Sequence, residues 1–230
     1  LAVGKYGIPG VKKSFLGIFK IFLLKKVDCI ISMSKTSSEE LYNIKFPGEK
    51  IFYVSNGVYL PKIEKSFSSS KNLKIINLGR LSSEKNYYDL LRVWENVISH
   101  SKIPIELNIY GNGPMLNELK NFVKKKKLSF FYFHGHTNNI KDKLKKSSIF
   151  ISTSGSEGNS NSILEAMSFK LPIISTNIGG TLMLVGPEGE QFISEIGDTK
   201  SISQKLLLLI YNSSLRLKVS EEMYKRATKY

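Results

Sequence analysis

Two carboxylates and two cations account for most of the chemistry this sequence can offer. Glu157 and Glu165 lie within "GSEGNSNSILEAM" (155–167), with little bulk between them. One carboxylate can accept two hydroxyl hydrogen bonds at once, as a vicinal diol requires. Gly158, Asn159, Ser160 and Asn161 bring short side chains and accessible backbone N–H groups to the point where a helix should begin. Exposed N–H groups and the helix dipole make such a junction an anion site. Upstream, "GRLSSEK" (79–85) sets Arg80 beside Gly79 at the carboxyl end of an apolar strand, and Lys85 near the start of the next helix. Two cations at that edge suit a diphosphate. Each feature also has a plainer reading. The chain carries 34 Lys and Arg residues, so two of them at a helix end are ordinary. Ser162-x-x-Glu165 has the spacing of a capping box, and Glu157 reads equally as an exposed loop acid.

Several other chemistries are disfavoured. "YGNGPM" (110–115) has Gly111 and Gly113 but no third glycine, so the dinucleotide fingerprint fails, and no Walker A sequence occurs. A tight turn with Pro114 near the first helical position explains it structurally. No Asp-x-Asp pair occurs, and His100, His134 and His136 are not grouped as metal ligands would be. No metal or other cofactor is therefore expected; a bound diphosphate would be neutralised by Arg80, Lys85 and the helix terminus. "KKKK" (124–127) and "KLKK" (143–146) read as solvated helix ends without interleaved aromatics, which argues against nucleic acid.

The elements that must position these residues follow from periodicity. Strands are expected at 73–79, 105–111, 129–135, 148–153, 172–176 and 190–193. Helices are expected at 84–99, 115–127, 138–146, after 160, and at 199–211 and 214–228. Strands alternating with amphipathic helices predict an α/β domain with a parallel sheet, whose carboxyl edge binds ligands. Before it come strands at 27–34 and 50–57, a Thr36-x-x-Glu39 capping box, and a Ser- and Lys-rich linker at 65–72. The expected divisions are 1–64, 65–212 and a terminal helix at 213–230.

The formal charge of +15 favours anionic partners. The lone Cys29 excludes an intrachain disulfide and fits a reducing, cytoplasmic setting. No signal peptide is visible, and the apolar run at 15–24, broken by Lys20, is short for a bilayer span. The start at Leu1, in a loop-like stretch, leads us to expect that a longer protein continues upstream. Within 11–26, Phe15, Ile18, Phe19, Phe22 and Leu23 keep helical spacing among lysines. An interfacial helix on an anionic inner membrane face and a core-facing helix are both open readings.

Taken together and in order, "VSNGV" (54–58), "LGRLSSEK" (78–85), "YGNGP" (110–114), "FHGH" (133–136) and "SEGNSNSILEAMSFKLPIIST" (156–176) resemble the retaining glycosyltransferases of family 4, the glycosyl transferases group 1 domain. The resemblance runs over essentially the whole chain. It implies the GT-B fold: a Rossmann-like parallel sheet with helices on both faces as the donor domain, plus part of a second α/β domain. It also implies transfer of a sugar, with retention, from a nucleotide diphosphate sugar to an acceptor hydroxyl on a bacterial polysaccharide or lipid-linked saccharide. Arg80 and Lys85 would grip the diphosphate, beside Gly79. Glu157 would hold donor sugar hydroxyls, Glu165 the ribose, and the backbone at Gly158, Asn159, Ser160 and Asn161 the phosphate, with His136 near the base. Two positions depart from the family pattern: Lys170 stands where glycine is usual, and Met183 near a usual glutamate. A nucleotide-sugar-binding module without catalysis, and a basic membrane- or nucleic-acid-binding protein, are the alternatives.

Overall fold

The structure, a computed structural model, describes residues 2–3, 22–24, 26–32, 35–43, 45–54, 56–63, 72–156 and 160–230. Most of the 11–26 segment and the linker through residue 71 lie outside the described residues.

A small parallel sheet comes first: β1 (Ala2–Val3), β2 (Ile30–Ser32) and β3 (Ile51–Tyr53), in that order, with α1 (Lys35–Asn43) between the last two. Leu24, Ile30, Leu41 and Phe46 form its own apolar cluster. α1 begins at Lys35, so Thr36 is already inside the helix rather than capping it.

The main sheet has six parallel strands: β4 (Leu73–Leu78), β5 (Ile105–Tyr110), β6 (Phe131–Gly135), β7 (Ile149–Ser152), β8 (Ile173–Thr176) and β9 (Ile193–Ser194). Their spatial order is β6-β5-β4-β7-β8-β9. This is the doubly wound order, which reverses direction between β4 and β7. Right-handed crossovers then place α2 (Tyr87–His100) and α3 (Leu116–Lys126) on one face. The crossovers through α4 (Ile140–Lys146), α5 (Asn161–Ser168) and α6 (Thr181–Glu190) lie on the other. α7 (Thr199–Tyr211) packs on α2, and α8 (Ser213–Ala227) returns to pack on α5 and α6. The expected fold class, a Rossmann-like sheet covered on both faces, is therefore what the chain adopts.

β7 and β8 are buried along their whole length, as central parallel strands should be. Trp94, Tyr87, Phe150 and Phe192 fill the layers on either side. The turn from α7 to α8 is closed from both directions. Asn212 Oδ1 accepts the Leu215 N–H at 2.9 Å. Arg216 Nη1 donates to the Leu209 and Ile210 carbonyls at 2.6 and 2.8 Å, satisfying acceptors that end α7.

Two expectations are corrected. The helix expected over 84–99 is interrupted: Ser83–Lys85 is a 3-10 turn, Asn86 is left-handed (φ 50°), and α2 starts only at Tyr87. Lys85 is thus held by a tight turn rather than by the helix. In addition, α6 fills the stretch between β8 and β9 for which the periodicity gives no element, although it contains Gly186, Pro187 and Gly189. The helix kinks at Gly186 (φ 67°), and Pro187 restarts it at a position that needs no N–H.

Candidate functional site

At the switch point the ends of β4 and β7 are tied side by side. Gly155 donates its N–H to the Glu84 carbonyl at 2.8 Å, and Thr153 Oγ1 donates to the Asn86 carbonyl at 3.1 Å. The turn carrying Lys85 is thereby pinned to the loop that leads toward residue 157. Arg80 is exposed at the end of β4, and the Lys85 stem runs along Gly79. A Cβ on Gly79 would come within 3.4 Å of Lys85 Cε. Behind it runs a buried polar chain: Asn77 Nδ2 donates to the Ile151 carbonyl at 2.8 Å, and the Tyr87 hydroxyl donates to Asn77 Oδ1 at 3.0 Å. Asn77 was legible as a signal, since an amide inside "LKIINLG" needs partners, yet its partner Tyr87 was not foreseen.

"YGNGP" serves the same edge. Gly79 donates to the Tyr110 carbonyl at 3.1 Å and Leu81 to Asn112 at 3.0 Å, while Met115 donates to Leu81 at 3.0 Å. A Cβ on Gly111, whose φ is 145°, would lie 1.9 Å from the Gly79 oxygen; one on Gly113 would lie 2.2 Å from the Leu81 oxygen. The glycines are required because two strand-end loops meet backbone to backbone.

Ser160 is the N-cap of α5 and Asn161 its first residue. Ser162 therefore lies inside the first turn, which removes the Ser162–Glu165 capping box. Ser160 Oγ shares a hydrogen with Ser162 Oγ at 3.0 Å, and Asn161 Oδ1 accepts from Asn56 Nδ2. The Asn-Gly crossover is thus fastened to the start of α5. Glu165 lines a cavity of about 170 Å³ between α5, α4 and the crossover residues 57–59. The residue is open to solvent from the cavity mouth, but burial around the carboxyl pushes its pKa up. Lys141, over the Tyr59 ring at 4.2 Å, forms the opposite wall; sequence reasoning missed both.

The structure therefore brings Gly79, Arg80 and Lys85 together with the loop after β7, and places Ser160, Asn161 and Glu165 on the helix that follows. His136 is exposed just past β6, the far strand of the sheet, and so stands apart from this group. Glu157, Gly158 and Asn159 lie outside the described residues. Among the described residues no group of three or more His, Cys, Asp or Glu could hold a metal ion.

Six parallel strands in the doubly wound order, with cations and a helix start at the switch point, define the class of open α/β sheets whose ligands bind at that edge. Residues 61–227 match the model for the family described as glycosyl transferases group 1, and the chain belongs to that family. It is 25% identical over 231 residues to the poly(glycerol-phosphate) alpha-glucosyltransferase of Bacillus subtilis, covering 98% of this chain and 33% of that protein. It is 32% identical over 175 residues to an Escherichia coli UDP-Gal:alpha-D-GlcNAc-diphosphoundecaprenol alpha-1,3-galactosyltransferase, covering 69% of this chain and 44% of that protein. Among solved structures, Staphylococcus aureus TarM, crystallised with UDP, superposes with a TM-score of 0.83 at 20% identity, over 99% of this chain and 47% of that one. The chain thus spans between a third and a half of each of these proteins.

Proposed function

We propose that this chain carries the donor-binding half of a bacterial glycosyltransferase that moves a sugar from a nucleotide diphosphate sugar to an acceptor hydroxyl, with retention. The observation that carries the reading is the β4/β7 switch point, where Arg80 and Lys85 share one edge with the start of α5. As the sugar leaves, negative charge grows on the diphosphate. Fixed cations and N–H groups aimed at that position stabilise the transition state more than the ground state. Glu165 then accepts ribose hydroxyls from its cavity wall, and Glu157, by resemblance, those of the sugar. His136 contributes at the base end only if the donor extends along the strand ends toward β6.

The two curated relatives act on a poly(glycerol-phosphate) and on a diphosphoundecaprenol-linked sugar. A surface polysaccharide or a lipid-linked saccharide acceptor is the corresponding proposal here. No helix among the described residues is long and apolar enough to cross a membrane. For a lipid-linked acceptor, peripheral contact with the inner membrane face through the basic apolar segment 11–26 is part of the proposal.

Calorimetric titration with UDP and a panel of nucleotide sugars tests the reading. One nucleotide should bind best, and Lys85→Ala should weaken it by about tenfold or more, the value of a charge-assisted contact. Binding should persist in EDTA, because the cations take the role of a metal. Loss on chelation, restored by Mg²⁺, would show that the site has been misassigned.

A further inference from the structure

A second cavity lies along one face of the sheet, over β4, β5 and β6. Along β5, Ile105, Leu107 and Ile109 point into the core, whereas Glu106, Asn108 and Tyr110 line a groove on the other side. Tyr132 and His134 continue that groove on β6. A parallel sheet is normally covered on both faces and apolar on both. Here α4, at seven residues, covers only part of that face, and a groove remains between it and β5–β6. The groove measures about 380 Å³ and is walled by Lys143 and Lys146 of α4 and by Lys74 of β4.

Its floor is organised rather than merely polar. The Tyr110 and His134 rings stack at 4.6 Å and 11°. A ring nitrogen of His134 sits 2.6 Å from Asn108 Oδ1, and Asn108 Nδ2 donates to Glu106 at 3.1 Å. Glu106 in turn pairs with Lys74 at 3.1 Å. That pair consumes the groove's one acid, leaving Lys143 and Lys146 without an acidic partner among the described residues. Burial, and then the Lys143 charge, push the His134 pKa down, so positive charge is in excess around the ring.

We propose that this groove is a second ligand site, over β4–β6 rather than at the β4/β7 switch point, that takes a phosphorylated sugar or polyol. Lys143 and Lys146 receive the phosphate as point charges. The Tyr132 hydroxyl meets the ligand's hydroxyl groups, and the stacked Tyr110–His134 pair, fixed from below by Asn108 and Glu106, gives the carbon skeleton a flat wall. The volume lies within the range of small-molecule sites, roughly 300–1,000 Å³.

Glucose 6-phosphate is the probe, titrated calorimetrically into the whole chain with UDP already saturating. It should still bind, and Lys143→Ala and Lys146→Ala should each weaken it by about tenfold. Both variants should keep the wild-type melting temperature and UDP affinity, and Lys85→Ala should leave the glucose 6-phosphate affinity unchanged. By NMR, the His134 pKa should rise when the probe binds, as an anion neutralises Lys143. No binding of glucose 6-phosphate, its displacement by UDP, or indifference to both lysine substitutions would overturn the site. Equal affinity for inorganic phosphate would overturn the sugar or polyol assignment. Failure of UDP to bind would count against the donor reading and leave the groove assignment to be judged on its own lysines.

Discussion

The Glu165 carboxylate accepts no hydrogen bond and forms no ion pair among the described residues, although burial raises its pKa. A carboxylate held this way is complementary to a ligand with hydroxyls to donate. Glu165→Gln keeps one acceptor oxygen but loses the charge and the second acceptor. Nucleotide affinity should fall by about tenfold or more, while the melting temperature should not drop, since no cap is lost. The pH dependence has a fixed sign. With the folded pKa raised, the native state binds the proton more tightly, so Glu165's contribution to stability is largest in acid and is lost as pH rises through that pKa. Affinity runs the opposite way, because only the carboxylate accepts both hydroxyls. Titrations at falling pH should therefore weaken above the ordinary carboxylate range in the wild type and stay flat through that range in Glu165→Gln. A flat profile in both would separate Glu165 from the ligand. The residue types at this edge were legible in sequence. Whether Glu165 capped its helix was not, because the choice rests on where α5 starts, a matter of one residue.

Between elements, the edge depends on contacts that no single segment encodes. Periodicity shows strands and helices because each must bury one face, and β4, β5, α7 and α8 fall within a residue of expectation at nearly every end. It fails where local signals mislead. Gly186 and Pro187 mask α6, and the polar alternation of β5 and β6 reads only as strand, not as an open face. Lys170 shows another case. It takes φ 54°, the left-handed conformation that glycine adopts freely, where the family pattern has glycine. Its amine pairs with Glu221 at 2.8 Å and lies over the Tyr224 ring at 5.1 Å, so contacts to α8 offset the backbone cost. Gly113 has no such outlet, because its missing Cβ faces the Leu81 backbone rather than a flexible side chain. Gly113→Ala should destabilise the chain by about 3 kcal/mol, the upper end for overpacking. It should also weaken nucleotide binding by pushing the loop that bears Arg80. Chemical denaturation paired with UDP titration checks both, and a normal midpoint with normal affinity would show that the two loops do not constrain each other.

For the whole molecule, the question is whether a +15 chain binds its ligand through a site or through its field. The excess charge is spread over lysines throughout the chain, including the run at the end of α3, and it raises the local concentration of any anion. A site differs from a field in its response to salt. Affinity that comes from neutralising many phosphates falls steeply with ionic strength, about a thousandfold or more between 50 and 200 mM for six or more contacts. A diphosphate gripped by Arg80 and Lys85 replaces only two such contacts, so its affinity should fall by about tenfold or less over the same interval. The nucleotide base should also matter, since field binding ignores it. Parallel titrations with UDP, GDP and a single-stranded oligonucleotide at both salt concentrations separate the cases. A shallow slope with clear preference for one base is the expected result for the nucleotides, and any oligonucleotide binding should collapse as salt rises. If the nucleotides show the same steep slope and no base preference, the cations at the β4 edge act only as part of a basic surface, and the donor-site reading fails with them.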